Sequence, residues 1–196
     1  MITPIQNRIL PENAQLIPDY AKCVFEGKIF DVYQWQQKMF DGSYQTFEML
    51  RRPDTVKVIG LDEEGRIITL TEKQPGGSRA RRHYLPGGRV DDGDASILDA
   101  AKREYREETG ISFGDWRLID VSQHVSKIEW FVYVYFAQDI LQRTEPQHDV
   151  GEEISIGTST FDDLKECGAE NLSFLNGFSS VDELSALAEK YEKRNY

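Results

Sequence analysis

The chain has 196 residues, 39% of them hydrophobic and 11% aromatic, as expected for one folded domain with at most a small appendage. Its net charge of -11 repels phosphate polymers and anionic lipid, which argues against a nucleic acid polymer or a membrane as partner. Cys23 and Cys167 are too few for a disulfide framework, and without a secretory pattern or a membrane-length apolar run we expect a cytoplasmic protein.

Extended segments rich in aromatic residues occupy the first part of the chain. Between Val24 and Leu50, two of them flank Asp41 and Gly42, a dipeptide typical of hairpin turns. The sequence therefore predicts an N-terminal antiparallel strand unit over residues 1–52, followed by a larger domain over residues 53–196.

The larger domain opens with two β-rich runs, "TVKVIGL" and "RIITLTE", joined by the turn at residues 62–65. They predict a second hairpin, with both strands in the core sheet. The following stretch, "KQPGGSRARRHYLPGG", contains Pro and Gly, which interrupt regular structure. It predicts a mobile basic loop that carries Arg79, Arg81, Arg82 and His83.

A helix is predicted over residues 97–109. Ser96 with Asp99 three residues later resembles a capping box, and Gly110 is a typical helix stop. Beyond it, "WRLIDVSQ" and "KIEWFVYVYFAQ" predict strands, and "STFDDLKEC" and "VDELSALAEKYEKR" predict helices. The order of strands, helix, strands and helices predicts an α+β fold or an α/β/α sandwich with a mixed sheet.

Three glutamates share one face of the predicted helix. Glu104 lies three and four residues before Glu107 and Glu108, so the three carboxylates crowd together near the C-terminal end, where the helix dipole also disfavours negative charge. Two ways of balancing this negative charge remain open, a bound metal ion and neighbouring basic side chains. Hard oxygen ligands suit Mg²⁺ or Mn²⁺, whereas the neighbouring basic residues Lys102, Arg103 and Arg106 would make an ordinary salt-bridged surface.

The residues before this helix favour the metal. "LPGGRVDDGD" precedes it, and the stretch from Gly88 to Ile111 resembles the Nudix box. That motif has Gly, five residues, Glu, seven residues, and then Arg-Glu-apolar-any-Glu-Glu-any-Gly-apolar. This chain has Gly88, five residues, Asp94, eight residues, and then "REYREETGI". Asp94 replaces the expected Glu, and one extra residue separates it from Arg103.

The resemblance to Nudix hydrolases implies a Nudix-type α/β/α sandwich with a divalent metal site. It implies that Glu104 and Glu108 bind Mg²⁺, or Mn²⁺, with Glu107 as a further ligand or a partner of the ligands. The carbonyl of Gly87 is a further implied ligand. The structural positions of the motif are Gly88, Asp94, Arg103 and Gly110, with Asp94 expected to pair with Arg103. The implied reaction is hydrolysis of a nucleoside diphosphate linked to another group.

Outside the motif, the chain is similar to the ADP-ribose and nucleotide-sugar pyrophosphatase branch. That branch implies a homodimer built by the N-terminal strands, and a small nucleotide diphosphate as substrate. Where it commonly has an aromatic residue and an Arg after Gln74, this chain has Pro75 and Gly76. The substrate-binding candidates are therefore Arg79, Arg81 and Arg82, with Arg51 or Arg52 on phosphate. An aromatic residue of the strand unit, Phe30, Tyr33 or Trp35, would contact the base, unless these rings only pack.

The general base is expected in "HDVGEEISI", residues 148–156. Glu153 is the first candidate and Glu152 the second, with Glu107 of the helix as a further catalytic candidate; a solvated acidic loop is the alternative. His83, which precedes the Gly-Gly turn, could reach phosphate or pack against Tyr84. For His83, His124 and His148 alike we expect packing roles, since none has a second ligand at metal spacing.

Three functions follow in order of preference. The first is Mg²⁺-dependent hydrolysis of ADP-ribose or a related nucleotide sugar to a nucleoside monophosphate and a sugar phosphate. The second is a house-cleaning hydrolase of nucleoside triphosphates on the same fold. The third, a catalytically silent ligand-binding module, would not need the crowded carboxylates.

Overall fold

A computed structural model describes residues 8–73, 80–148, 153–166 and 172–192. Its strands are β1 (Lys22–Glu26), β2 (Asp31–Lys38), β3 (Tyr44–Arg51), β4 (Thr55–Gly60), β5 (Ile67–Lys73), β6 (Arg81–Tyr84), β7 (Ile111–Ser122), β8 (Ile128–Glu129), β9 (Val132–Arg143) and β10 (Glu153–Ser159). Its helices are α1 (Ile97–Thr109), α2 (Phe161–Glu166) and α3 (Glu189–Glu192), with 3-10 helices at Ser173–Gly177 and Asp182–Ala188. No helix in these ranges is long and apolar enough to cross a membrane.

The predicted N-terminal antiparallel unit is confirmed. β2 pairs antiparallel with both β1 and β3, and the β2–β3 hairpin turns at Gly42, which has φ 87°. Alternate positions of the strands face one way, so that Tyr33, Trp35 and Met49 pack with Ile17 in a small core of their own. The two residues of β8 extend this sheet by pairing parallel to β3.

The predicted second hairpin is wrong in its strand pairing. The turn at residues 62–65 forms, but β4 and β5 do not form a ladder, and an isolated bridge between Leu61 and Ile67 joins the two runs. β4 instead pairs parallel with β9, and β5 pairs antiparallel with β6 and β10. The buried run of β4 suits a strand covered on both faces, which a two-stranded hairpin cannot provide.

The predicted mobile loop is also wrong for the part that the structure describes. Arg81, Arg82 and His83 lie on β6, which pairs with β5, because a neighbouring strand satisfies their backbone. Arg79 lies outside the described residues.

Two further predicted elements differ from the structure. The run "KIEWFVYVYFAQ" divides at Trp130 and Phe131, so that β8 joins the N-terminal sheet and β9 the core sheet. The last predicted helix is mostly a 3-10 helix, Asp182–Ala188, whose N-cap residue Val181 offers no side-chain acceptor.

The core sheet β4-β9-β7 is mixed and lies between two apolar layers. On one face, Ala100, Ala101 and Tyr105 of α1 are fully buried against it. On the other face, Leu164, Leu175 and Leu184 of the C-terminal helical segments pack together with residues of β4, β7 and β9. The mixed-sheet α+β sandwich expected from the sequence is confirmed.

Candidate active site

Helix α1 forms one wall of the site, and local sequence sets both of its ends. Ser96 caps it by accepting a 3.1 Å hydrogen bond from the Asp99 amide, and Gly110 ends it in the left-handed conformation at φ 73°. The helix covers the predicted residues 97–109 without interruption. Asp94 lies before the cap, so the extra residue of the motif is accommodated in the loop.

Asp94 and Arg103 form the expected pair despite that extra residue. The guanidinium donates to both carboxylate oxygens, at 2.9 and 2.8 Å, and to the backbone carbonyl of Arg89 at 3.0 Å. These hydrogen bonds lower the pKa of Asp94 and raise that of Arg103. Arg103 thereby ties the loop before α1 to the helix.

Arg103 also holds two of the three glutamates. Its remaining nitrogen, Nη1, donates to Glu104 at 2.8 Å and to Glu107 at 3.1 Å. Glu108 lines the same cavity and accepts a 2.7 Å hydrogen bond from the amide of Gly87. Burial, together with the charges of Glu104 and Glu72, raises the pKa of Glu108 to about 8, although the Gly87 hydrogen bond opposes the shift.

The Gly87–Gly88 pair forms the wall opposite the glutamates. A Cβ at Gly88 would collide with the carboxylate of Glu104, and a Cβ at Gly87 would collide with the backbone carbonyl of Val56. Gly87 also has φ 140°, a conformation that other residues rarely adopt. Gly88 therefore lets the backbone run close to α1, and Gly87 lets it run close to β4.

A cavity of about 790 Å³ lies between the Gly87–Gly88 wall, α1 and β5. Its lining residues are Glu72, Tyr84, Gly87, Gly88, Arg89, Asp91, Arg103, Glu104, Glu107, Glu108, Gln147, His148 and Ile154. Sequence reasoning missed several of these, among them Glu72, Tyr84 and Gln147. It assigned His148 to packing, yet the imidazole lines the cavity and its Nε2 lies 3.0 Å from the backbone carbonyl of Glu108.

A buried lysine beside the cavity was also missed. Lys57 is 6% exposed, and its ammonium lies 3.9 Å from the centroid of the Tyr84 ring. Burial lowers its pKa to about 8, while the carboxylates of Glu108 and Glu72 oppose the shift. The only available signal was a single Lys within the apolar run "TVKVIGL", because the partners of this lysine are distant in sequence.

The predicted phosphate-binding arginines have different surroundings. Arg51 pairs with Glu129 at 3.1 Å and stacks on the Tyr33 ring at 4.6 Å. Arg52 stacks on the Trp130 ring at 4.6 Å. Its pKa is lowered by burial and then by the nearby charge of Arg89, which lines the cavity.

The remaining candidates are divided between the cavity and other surfaces. Arg81 lies 3.9 Å from the cavity-lining Glu72, and Arg82 is exposed on β6. Trp35 is only 8% exposed and packs within the N-terminal core. Glu153 begins β10 rather than lying on a loop, and its side chain is 78% exposed at 3.6 Å from Lys73. Glu152 lies outside the described residues.

The donor set fits a hard divalent cation, although the side chains are not gathered around one. In the described ranges, no group of three or more His, Cys, Asp and Glu side chains is arranged to hold a metal ion. Arg103 draws Glu104 and Glu107 to itself, and Glu108 is bonded to Gly87. Carboxylate oxygens are nevertheless the ligands that Mg²⁺ prefers, and the three converge on one cavity.

Comparison with known proteins agrees with this arrangement. Residues 51–173 match the model of the NUDIX domain family. An ADP-ribose pyrophosphatase of Bacillus subtilis is 29% identical over 87 residues, or 44% of this chain and 46% of the relative. An ADP-ribose pyrophosphatase of Mycobacterium tuberculosis is 29% identical over 133 residues, or 66% and 63%. The chain thus spans about half to under two thirds of the length of these relatives.

The fold is also found among solved structures. A crystal structure described as an ADP compounds hydrolase aligns with a TM-score of 0.60 at 19% identity, covering 89% of this chain and 93% of that one. This likeness concerns the fold alone. The family match covers more than half of the chain and contains α1, its glutamates and the Gly87–Gly88 wall, so the chain belongs to the NUDIX domain family.

Proposed function

We propose that the protein hydrolyses the diphosphate linkage of ADP-ribose or a related nucleotide sugar, with Mg²⁺ or Mn²⁺, to a nucleoside monophosphate and a sugar phosphate. The observation that carries the proposal is the convergence of Glu104, Glu107 and Glu108 with the Gly87–Gly88 wall on one 790 Å³ cavity. The similarity to two ADP-ribose pyrophosphatases supports the choice of substrate.

Within this proposal, Glu104 and Glu108 would bind the metal. The Gly87 carbonyl would be a further ligand, and Glu107 a further ligand or a partner of the ligands. When bound, the metal neutralises diphosphate charge and acidifies a water molecule. The amide of Gly87 holds Glu108 in place at 2.7 Å. Arg103 supplies the positive charge that keeps the other two glutamates together.

The remaining roles are substrate binding, by basic side chains, and general-base catalysis, by an acidic side chain. Arg81, beside the cavity, and its neighbours Arg79 and Arg82 anchor the diphosphate, with Arg51 or Arg52 as further phosphate contacts. The exposed Phe30, rather than the buried Trp35, is the aromatic candidate for the base. Glu153 or Glu152 is proposed as the general base, with Glu107 as the alternative on the helix. A carboxylate suffices in this role because the metal supplies most of the acidification.

The proposal includes a homodimer formed by the N-terminal unit, residues 1–52. Large apolar side chains are exposed there: Leu16, Tyr20, Val24, Phe25, Ile29, Phe30, Phe40 and Tyr44. All five residues of β1, at the edge of its sheet, are exposed. Apolar surface concentrated along a sheet edge is typical of a protein contact.

The test is product analysis after incubation with Mg²⁺ and each of ADP-ribose, UDP-glucose, a diadenosine polyphosphate, NADH and the dNTPs. We expect ADP-ribose or a nucleotide sugar to be the best substrate. Glu108→Gln should lower kcat about 100-fold or more, because a metal contributes several kcal/mol to the transition state. Glu166→Gln, the same change on the exposed surface of α2, is the matched control and should leave the rate unchanged.

The other outcomes of the substrate panel distinguish the alternative functions. Preference for dNTPs would indicate a house-cleaning hydrolase, and turnover of none of these compounds would indicate a silent binding module. Turnover that is equal in wild type and Glu108→Gln would contradict the assignment of the site.

A further inference from the structure

Strand β6 contains a β-bulge at His83. Between the paired positions Leu70↔Tyr84 and Glu72↔Arg81, β5 contributes one residue and β6 contributes two. His83 has φ 55°, in the left-handed region that glycine normally occupies. A residue with a Cβ keeps that conformation only where its surroundings impose it, and bulges of this kind redirect neighbouring side chains.

The bulge places Arg81 and Tyr84 on the same face of the sheet. Side chains three positions apart in a regular strand point to opposite faces. Here their partners, Glu72 and Leu70, lie two positions apart on β5 and so share a face. The Arg81 guanidinium accordingly lies 5.6 Å from the centroid of the Tyr84 ring and 3.9 Å from Glu72. Tyr84 and Glu72 both line the cavity.

On the opposite face, His83 is fixed by a chain of hydroxyl groups. Its Nδ1 lies 2.7 Å from the Ser159 hydroxyl, which lies 2.9 Å from the Thr69 hydroxyl. Ser159 and Thr69 are each only 3% exposed. These hydrogen bonds connect the bulge to the end of β10 and the middle of β5, away from the cavity, and they supply the restraint that the left-handed conformation requires.

We propose that His83 is a positioning residue for the substrate diphosphate. By holding the bulge through Ser159, it keeps the Arg81 guanidinium on the cavity face, where that cation binds diphosphate oxygens. The inference rests on the proposed function, because it takes the substrate to be a nucleoside diphosphate derivative. It assigns His83 no contact with the substrate itself.

Substitutions at residue 83 separate this role from general stability. His83→Ala removes the hydrogen bond and should raise KM for ADP-ribose about tenfold, the loss expected for weakening one charge-assisted hydrogen bond, with kcat within about twofold. His83→Asn should restore KM, because Asn tolerates the left-handed region and places an amide near the position of Nδ1. Ser159→Ala should raise KM in the same direction as His83→Ala.

A double-mutant cycle tests whether the effect passes through Arg81. In an Arg81→Ala background, His83→Ala should change KM by less than about twofold, because the group that it positions is gone. Equal effects of His83→Ala with and without Arg81 would overturn the inference while leaving the proposed function intact.

A crystal structure of His83→Ala provides a readout that needs no substrate. We expect β6 to lose its bulge and Arg81 to leave Glu72. Retention of the bulge and of the 3.9 Å approach would overturn the inference, whatever the enzyme's activity. A wild-type protein that hydrolyses no nucleoside diphosphate derivative would instead contradict the proposed function, and it would remove the diphosphate role of His83 with it.

Discussion

Arg103 binds acids on both sides of itself, namely Asp94 in the loop and Glu104 and Glu107 on the helix. Its fixed, planar set of donors allows one side chain to serve three carboxylates, which a lysine could not do with the same geometry. The contact with Asp94 is the better shielded, because the Asp94 side chain is only 7% exposed. Loss of Asp94 should therefore affect the stability of the loop as well as the position of the glutamates.

The Asp94–Arg103 pair should make stability depend on pH. Because its hydrogen bonds lower the folded pKa of Asp94, the stabilisation is present above the unfolded pKa of about 3.9 and is lost as pH falls through the folded value. Asp94→Asn should therefore cost about 1–2 kcal/mol at pH 7 and much less near pH 2. Urea unfolding at the two pH values measures the difference, and an equal cost at both would contradict the ion-pair assignment.

The two glycines of the wall should respond differently to Ala. The atoms nearest to a Cβ at Gly88 belong to the Glu104 side chain, which can move, so in Gly88→Ala the fold should survive while kcat falls about 100-fold through misplacement of the carboxylate. Gly87→Ala meets backbone and requires φ 140°, so it should cost about 2–3 kcal/mol of stability. Kinetics and urea unfolding of both variants distinguish the two effects. A fully active Gly88→Ala enzyme would be contrary to this account.

At the scale of elements, α1 depends on its cap. Ser96 both accepts from the Asp99 amide and donates to the Asp99 carboxylate, at 3.1 and 2.8 Å. Ser96→Ala should lower the free energy of unfolding by about 1 kcal/mol, whereas Ser96→Thr, which retains a hydroxyl that can both accept from the amide and donate to the carboxylate, should lose less. Chemical unfolding measures both variants. Identical losses would show that the cap contributes nothing specific.

How far the sequence predicts each element depends on the distance to the element's partners. The bounds of α1 follow from residues within its own turns, so the sequence predicts them to the residue. The partner of β4 is β9, with Thr55 opposite Val132, and no residue close to β4 in sequence indicates that pairing. The turn at residues 62–65 gave a local hairpin signal that the core sheet overrode.

The same limit applies to the site. The glutamates of α1 and the Gly87–Gly88 wall are close in sequence and could be identified together. Glu72 of β5 lines the cavity, Lys57 of β4 lies beside it against Tyr84, and the bulge at His83 depends on Ser159 of β10. Contacts between such distant segments form only through tertiary packing, so single-sequence patterns do not reveal them.

At the scale of the whole molecule, the exposed N-terminal apolar surface predicts self-association. Phe25 is 60% exposed and Phe40 is fully exposed, and exposed apolar side chains gathered on one unit mark a contact surface. We expect a dimer by light scattering after size-exclusion chromatography. Phe25→Asp should shift the equilibrium toward monomer, and Leu141→Asp, at an exposed apolar residue of β9, is the matched control. A monomeric wild-type protein would contradict the proposed dimer.

Glu129 connects three parts of the chain. Its buried carboxylate accepts from Arg8 at 2.7 Å, from Arg51 at 3.1 Å and from the Ile17 amide at 2.6 Å. Glu129→Gln should cost roughly 3 kcal/mol in urea unfolding, because two partly buried arginines lose a shared counter-charge, and of the described carboxylates Arg8 keeps only Asp54, at 3.1 Å. Glu64→Gln, which removes an exposed partner of Arg66, should cost under about 0.5 kcal/mol. Equal costs would contradict this difference.

The sharing of Glu129 has a consequence for cooperativity. If the N-terminal unit separated from the rest, Glu129 would stay behind in the larger part, and its arginines would leave with the smaller one. Each part would then carry an uncompensated charge, so partial unfolding is penalised relative to complete unfolding. The proposed division near residue 52 should therefore mark a boundary in sequence only, and the two parts should melt together in one transition.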